Sequence, residues 1–152
     1  MSNTHFTAYT QEKTHDLDEN ARLDAVKKIL VVDDDPAFVE ILQVFLESCG
    51  YQVESALDGV LGIKKIMVHD YAVILCDMVM PNLAGDMFYM AVERVKPHLC
   101  RRFVFMTGYQ GDAKVDAFIR RVRGLVVWKP FEMHILLEAV QAAERKGDHT
   151  TS

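Results

Sequence analysis

Apolar residues in this chain follow two rhythms that alternate from Lys27 onward. Short unbroken runs have the length and β-branched content of strands covered on both faces: Ile29-Leu30-Val31-Val32, Val73-Ile74-Leu75-Cys76, Phe103-Val104-Phe105-Met106 and Leu125-Val126-Val127-Trp128. Between them the apolar spacing becomes helical. Ile29 to Asp33 is a predicted buried strand, after which Asp35 suits an N-cap and Pro36 the first helical position. Phe38, Ile41, Leu42, Phe45 and Leu46 keep helical spacing up to a C-terminal cap at Gly50. Val53 and Ser55 fall in a short second strand closed by Leu57-Asp58-Gly59. Val60 to His69 reads as a second helix, on Leu61, Ile63, Ile66 and Met67. Ala72 to Asp77 is the third strand, and Pro81 and Gly85 mark a loop before a helix that ends near Val95. Arg102 to Met106, Asp112 to Arg121, Leu125 to Trp128 and Phe131 to Arg145 complete the series. Five strands alternating with five helices predict an α/β fold, a five-stranded parallel sheet wound on both faces. Right-handed crossovers leave few topologies.

Residues 1–26 break the pattern. They are polar, rich in Thr, Asp, Glu and His, and read as a mobile arm with a helical tendency from about Asp18 to Val26. The expected domain is 27–146, with 147–152 a disordered tail. A length of 152 residues suits one domain and leaves no room for a second, output unit. The net charge of -5 argues against nucleic acid as the main partner, because phosphate binding needs a basic face. Cys49, Cys76 and Cys100 are odd in number and lack C-x-x-C spacing, which suits reduced thiols in a cytoplasmic setting. The longest apolar runs are strand-length, so no membrane span is expected.

Chemistry concentrates at the carboxyl ends of the predicted strands, where open parallel sheets place their ligand sites. Asp33-Asp34-Asp35 follows the first strand, Asp77 ends the third, Thr107 follows the fourth and Lys129-Pro130 the fifth. Alone, each has a bland reading as turn, cap or exposed lysine. Carboxylates this close repel, and oxygen-only donors without His or Cys favour Mg²⁺, with Mn²⁺ as an alternative. In phosphoryl transfer Asp77 would be the nucleophile and Asp33 with Asp34 would hold the metal. Thr107 would donate its hydroxyl and Lys129 would pair with a phosphoryl oxygen. Arg120, Arg121 and Arg123 cluster at a helix end, where they suit the helix dipole or, failing that, a partner-binding face.

The motifs Val-Val-Asp-Asp-Asp-Pro, Leu-Cys-Asp-Met-Val-Met-Pro, Met-Thr-Gly-Tyr and Trp-Lys-Pro-Phe, in this order, give the chain its likeness. Over about residues 27–146 it resembles the receiver domains of two-component response regulators, similar in extent to the single-domain chemotaxis regulator. The resemblance implies a flavodoxin-like fold with strand order 2-1-3-4-5. It implies phosphorylation of Asp77 by a histidine kinase or histidine phosphotransfer protein, with Mg²⁺ held by Asp34, Asp77 and the backbone carbonyl of Val79. The chain would then be a phosphoacceptor switch that catalyses only its own phosphoryl transfer and dephosphorylation. The signal would leave by protein contact or phosphorelay through the fourth helix, fifth strand and fifth helix, with homodimerisation a further option.

Two departures from the family pattern stand out. Val126 occupies the position three before the lysine where receivers usually carry an aromatic switch residue. Trp128 shares that face of the strand and is expected to take over part of the switching. Val79 and Tyr109, two beyond Asp77 and Thr107, lie where the family tunes dephosphorylation, and their bulk predicts slow hydrolysis. Three rival readings remain. An aspartate-nucleophile phosphatase of the haloacid-dehalogenase type would attack through Asp33, although Ala37 stands where that motif expects Thr or Val. A degenerate receiver would serve as a constitutive binding module. A flavin-binding flavodoxin would need a phosphate loop where this chain has three aspartates.

Overall fold

The unbroken apolar runs become the central strands because every side chain in them finds cover. The computed structural model describes residues 26–148. The strands are β1 (Lys28–Val32), β2 (Gln52–Ala56), β3 (Val73–Asp77), β4 (Phe103–Thr107) and β5 (Leu125–Trp128). Helices α1 (Pro36–Ser48), α2 (Gly59–Val68), α3 (Gly85–Val95), α4 (Ala113–Val122) and α5 (Met133–Asp148) alternate with them. All strand pairs are parallel, in the order β2-β1-β3-β4-β5. This is the flavodoxin-like arrangement expected from the sequence.

Two cores flank the sheet. Ile29, Val31, Val73, Leu75, Val104, Met106 and Val127 face α1 and α5, meeting Val39, Leu42, Leu46, Leu136 and Val140. Leu30, Val32, Ile74, Cys76, Phe103 and Phe105 face the other way, onto Ile66, Phe88, Tyr89 and Phe118. The rings of Tyr89, Phe103, Phe105 and Phe118 pack with centroids 5.0–5.9 Å apart between the paired neighbours. Such pairs add about 0.5–1.5 kcal/mol each beyond area burial.

Local signals hold α1 as expected. The Asp35 side chain accepts from the amides of Ala37 and Phe38, Pro36 opens the helix, and Gly50 follows its C-cap at φ +94°. The apolar arc is turned differently from the predicted one: Val39 is buried, while Ile41 is 55% exposed. In α2, Gly59 and Gly62 are buried against Leu83 and Phe88, and Leu61 and Met67 are exposed. A short 3-10 helix, Pro97–Arg102, precedes β4 and has no counterpart in the sequence prediction. α5 runs through Asp148, two residues into the segment expected to be tail, because Gly147 is buried beside Arg102. The expected N-terminal arm lies outside the described residues, except Val26, which is exposed and in no element; so does 149–152.

Candidate functional site

Parallel strands deliver their last residues to one edge of the sheet, and four of these residues carry the polar groups singled out above. Asp33 continues β1 by one residue, its amide donating to the Ala56 carbonyl at 3.1 Å. Its side chain is buried with both oxygens engaged: Oδ1 accepts from the Asp35 amide at 3.0 Å, and Oδ2 from Lys129 Nζ at 2.9 Å. Asp77 ends β3; its Oδ1 accepts from the Val79 amide at 3.2 Å, and its Oδ2 lies 3.5 Å from Lys129 Nζ. Asp34 is exposed beside them, and the three acids can offer oxygens within 4.8 Å of one another.

Lys129 is aimed from the end of β5. Its amide donates to the Thr107 carbonyl at 2.8 Å, its peptide to Pro130 is cis, and its amine sits 4.5 Å over the Phe38 ring. Thr107 is buried at the end of β4, where its hydroxyl accepts from the Tyr109 amide at 3.1 Å. Asp33, Asp34 and Asp77 are thus clustered, Lys129 reaches Asp33 and Asp77, and Thr107 ends the neighbouring strand. Asp35 remains a helix cap.

Crowding sets the electrostatics. Burial, then the charge of Asp33, push the Asp77 carboxyl up to about 6, while Lys129 and the Val79 amide pull the other way. Burial alone would lower the Lys129 amine, but the Asp33 bond and the charges of Asp77 and Asp33 outweigh it, and the net direction is up. The ammonium therefore stays charged and neutralises the two acids from one side. The Cys76 thiol, wholly buried next to Asp77, is held well above its ordinary range by burial and then by the neighbouring acids.

Residues 29–141 match the family described as the response regulator receiver domain. The chain belongs to that family. As a receiver domain, it is similar to the DNA-binding dual master transcriptional regulator RpaA of Synechocystis, at 27% identity over 80% of this chain and 50% of RpaA. The chain spans about half the length of the curated relatives it matches first. Among solved structures it resembles Vibrio cholerae chemotaxis protein CheY4, at 27% identity and a TM-score of 0.71 over 78% of this chain and 99% of that one. It also resembles Thermotoga maritima response regulator TrrA in complex with Mg(2+)-BeF, at 27% identity and a TM-score of 0.69. That match covers 78% of this receiver domain and 99% of the TrrA chain.

The remaining site residues lie at the rim or behind the strands. Val79 and Tyr109 are 48% and 55% exposed beside the acids. Val126 packs on the aromatic core, and Trp128, two residues on, lines a groove with Ile119 and Arg120 of α4. Two neighbours escaped the sequence reading. Phe38, read only as a helix-spacing residue, supports the Lys129 amine and meets Phe131 edge-on at 5.9 Å. Gly85 donates its amide to the Met78 carbonyl at 3.1 Å and lies directly against Asp77. A glycine opening a helix without a side-chain cap was the only hint of that contact.

Proposed function

We propose that Asp77 accepts a phosphoryl group from the phosphohistidine of a histidine kinase or histidine phosphotransfer protein. The observation that carries this reading is the convergence of Asp33, Asp34, Asp77 and Lys129, from three separate strand ends, on one small volume. Asp77 suits the nucleophile better than Asp33 because its partners stand farther off, at 3.2 and 3.5 Å against 3.0 and 2.9 Å, and its side chain is 11% exposed against 1% for Asp33. In the transfer the donor's P–N bond breaks as a P–O bond to an Asp77 oxygen forms, and the imidazole nitrogen takes the electron pair.

The oxygen-only donor set fits Mg²⁺, with Mn²⁺ as an alternative; Asp33, Asp34, Asp77 and the Val79 carbonyl would hold it. Bound there, the ion supplies charge neutralisation for the phosphoryl oxygens. The likeness to TrrA in complex with Mg(2+)-BeF supports this choice. Lys129 would pair with one phosphoryl oxygen and Thr107 would donate its hydroxyl to another. Added charge of about -1.5 to -2 then biases a two-state equilibrium that is read through α4, β5 and α5. Use as a stand-alone switch is supported by the match to nearly the whole of CheY4. Three unpaired cysteines are consistent with a reducing, cytoplasmic setting.

Intact-protein mass after incubation with acetyl phosphate and Mg²⁺ tests the reading. A single phosphoryl adduct is expected in the wild type and in Asp33→Asn, and none in Asp77→Asn. An adduct mapped to Asp33 by borohydride trapping would favour the phosphatase instead. No adduct in the wild type would favour a degenerate binding module.

The donor's approach is supported by α1. Ile41 and Val44 are 55% and 65% exposed, and with Ala37, Phe45 and Met133 they line an apolar groove of about 710 Å³ along the helix that follows the acids. Ile41→Asp with Val44→Asp is expected to slow transfer from a phosphohistidine protein about tenfold, equivalent to ~1.4 kcal/mol at the interface. Labelling by acetyl phosphate should be unchanged. Equal slowing of both reactions would place the damage in the acidic site and not in docking.

A further inference from the structure

The sheet edge at β2 is flanked by two helices of opposite charge. Among the described residues β2 pairs only with β1, and α1 and α2, which precede and follow it, cover opposite faces of the sheet. α1 carries Glu40 and Glu47 and no basic residue; α2 carries Lys64 and Lys65 and no acidic one. None of these four forms an ion pair among the described residues. Between the charges stand apolar side chains in water: Val44 on α1, and Leu61, Met67 and Val68 on α2, at 43%, 58% and 74% exposure. Exposed apolar groups gathered beside unpaired charges mark an interaction surface.

Helical spacing sets these residues in stripes. Glu40, Val44 and Glu47 stand at i, i+4 and i+7 of α1; Leu61, Lys65 and Val68 stand at i, i+4 and i+7 of α2, with Lys64 one row out. The flank of α1 toward α5 is taken up by Phe38, which meets Phe131, and by Phe45, which lines a groove with Met133. The flank of α2 toward α3 is taken up by Ile63 in the core and by Gly62 against Phe88. Both stripes therefore lie on the opposite flanks, beside the β2 edge. One reads acid, apolar, acid; the other reads apolar, base, apolar.

We propose that two copies of this chain associate across their β2 edges about a two-fold axis parallel to the strands. That operation turns the second sheet over, so α1 of each copy lies beside α2 of the other, and every contact occurs twice. The two helices then run in the same direction from the same edge of the sheet. Glu40 is the fifth residue of α1 and Lys64 the sixth of α2, while Val44 and Met67 are both ninth. Acid and base thus come level, as do Val44 and the pair Met67 and Val68. A two-fold axis perpendicular to the sheet would instead set α1 on α1 and α2 on α2, acid against acid and base against base. Charge complementarity selects the first arrangement. Association would cover the outer face of α1 and exclude a phosphohistidine donor from it; that consequence, though not the association, rests on α1 as the donor's approach.

Sedimentation velocity of the full chain at rising concentration tests this. A monomer–dimer equilibrium that stops at the dimer is expected. Glu40→Lys with Glu47→Lys, and separately Lys64→Glu with Lys65→Glu, should each weaken self-association about tenfold or more, because like charges then face each other. Mixing the two variants in equal amounts should restore the dimer, as should all four changes in one chain. A wild type that stays monomeric overturns the proposal and leaves the stripes to a different protein. Growth past the dimer overturns it too, as does a loss that neither mixing nor the fourfold variant restores. Acetyl phosphate labelling of the same samples separates the two readings. Association without labelling removes only the phosphoacceptor assignment, and labelling without association removes only the dimer.

Discussion

Asp77→Asn is expected to stabilise the metal-free protein at pH 7.5 by about 2 kcal/mol while abolishing phosphorylation. The stability part follows from linkage. The folded protein holds the Asp77 carboxyl at about 6, above the ~3.9 of an unfolded aspartate. A raised carboxyl pKa means that the native state binds the proton more tightly than the unfolded state does. Ionising the group therefore costs stability, and the cost grows as pH rises from about 4 to about 6 and is constant above. A shift of this size corresponds to nearly 3 kcal/mol, reduced for the part of the side chain that still meets water. Asparagine removes the charge and with it the repulsion from Asp33, so the gain should be full at pH 7.5 and absent near pH 4. Urea unfolding in EDTA across that range measures it, and equal or lower stability of the variant at pH 7.5 would sink the argument. Mg²⁺ should stabilise the wild type much more than the variant, because an ion bound only by the native state adds stability by mass action.

The strand ends were legible because each strand is an unbroken apolar run: the first polar residue after it marks the carboxyl edge of the sheet. That is why the sequence places Asp33, Asp77, Thr107 and Lys129 at one edge. The helix faces were less legible. In α1, Phe38, Val39, Ile41, Leu42, Val44, Phe45 and Leu46 cover most of the circumference, so spacing alone does not choose which arc meets the sheet. Packing chose Val39, Leu42 and Leu46, and left Ile41 and Val44 in solvent. In α2 the closest contacts are made at Gly59 and Gly62, residues that hydrophobic patterning ignores because their role is to be small. The 3-10 segment offers a proline and no apolar period. Nor could pattern place Phe38 beneath an amine that comes from a residue 91 positions away. What spacing encodes is the direction of the strands; side-chain contacts between elements appear only when they pack.

Gly85→Ala tests the most crowded of those contacts. A Cβ there would stand 2.6 Å from the Asp77 carbonyl oxygen and 2.8 Å from the Met78 Cα, closer than such atoms can approach. Both are backbone atoms of the strand end that carries Asp77, so no side chain can rotate away. Either α3 lifts from β3 or the Asp77–Val79 segment shifts, and Asp77 and the Val79 carbonyl move with it. Overpacking of this kind costs about 3 kcal/mol. Phosphorylation should fall along with stability, because the carboxylate loses its place beside Lys129. Gly111→Ala is the comparison: nothing lies within 4 Å of its would-be Cβ, but its φ of +86° costs a side chain about 1 kcal/mol. Urea midpoints and acetyl phosphate labelling of the two variants separate steric conflict at the site from ordinary backbone strain. If Gly85→Ala unfolds at the same midpoint as Gly111→Ala and labels normally, the strand end yields to α3, and the fixed position of Asp77 does not depend on that glycine.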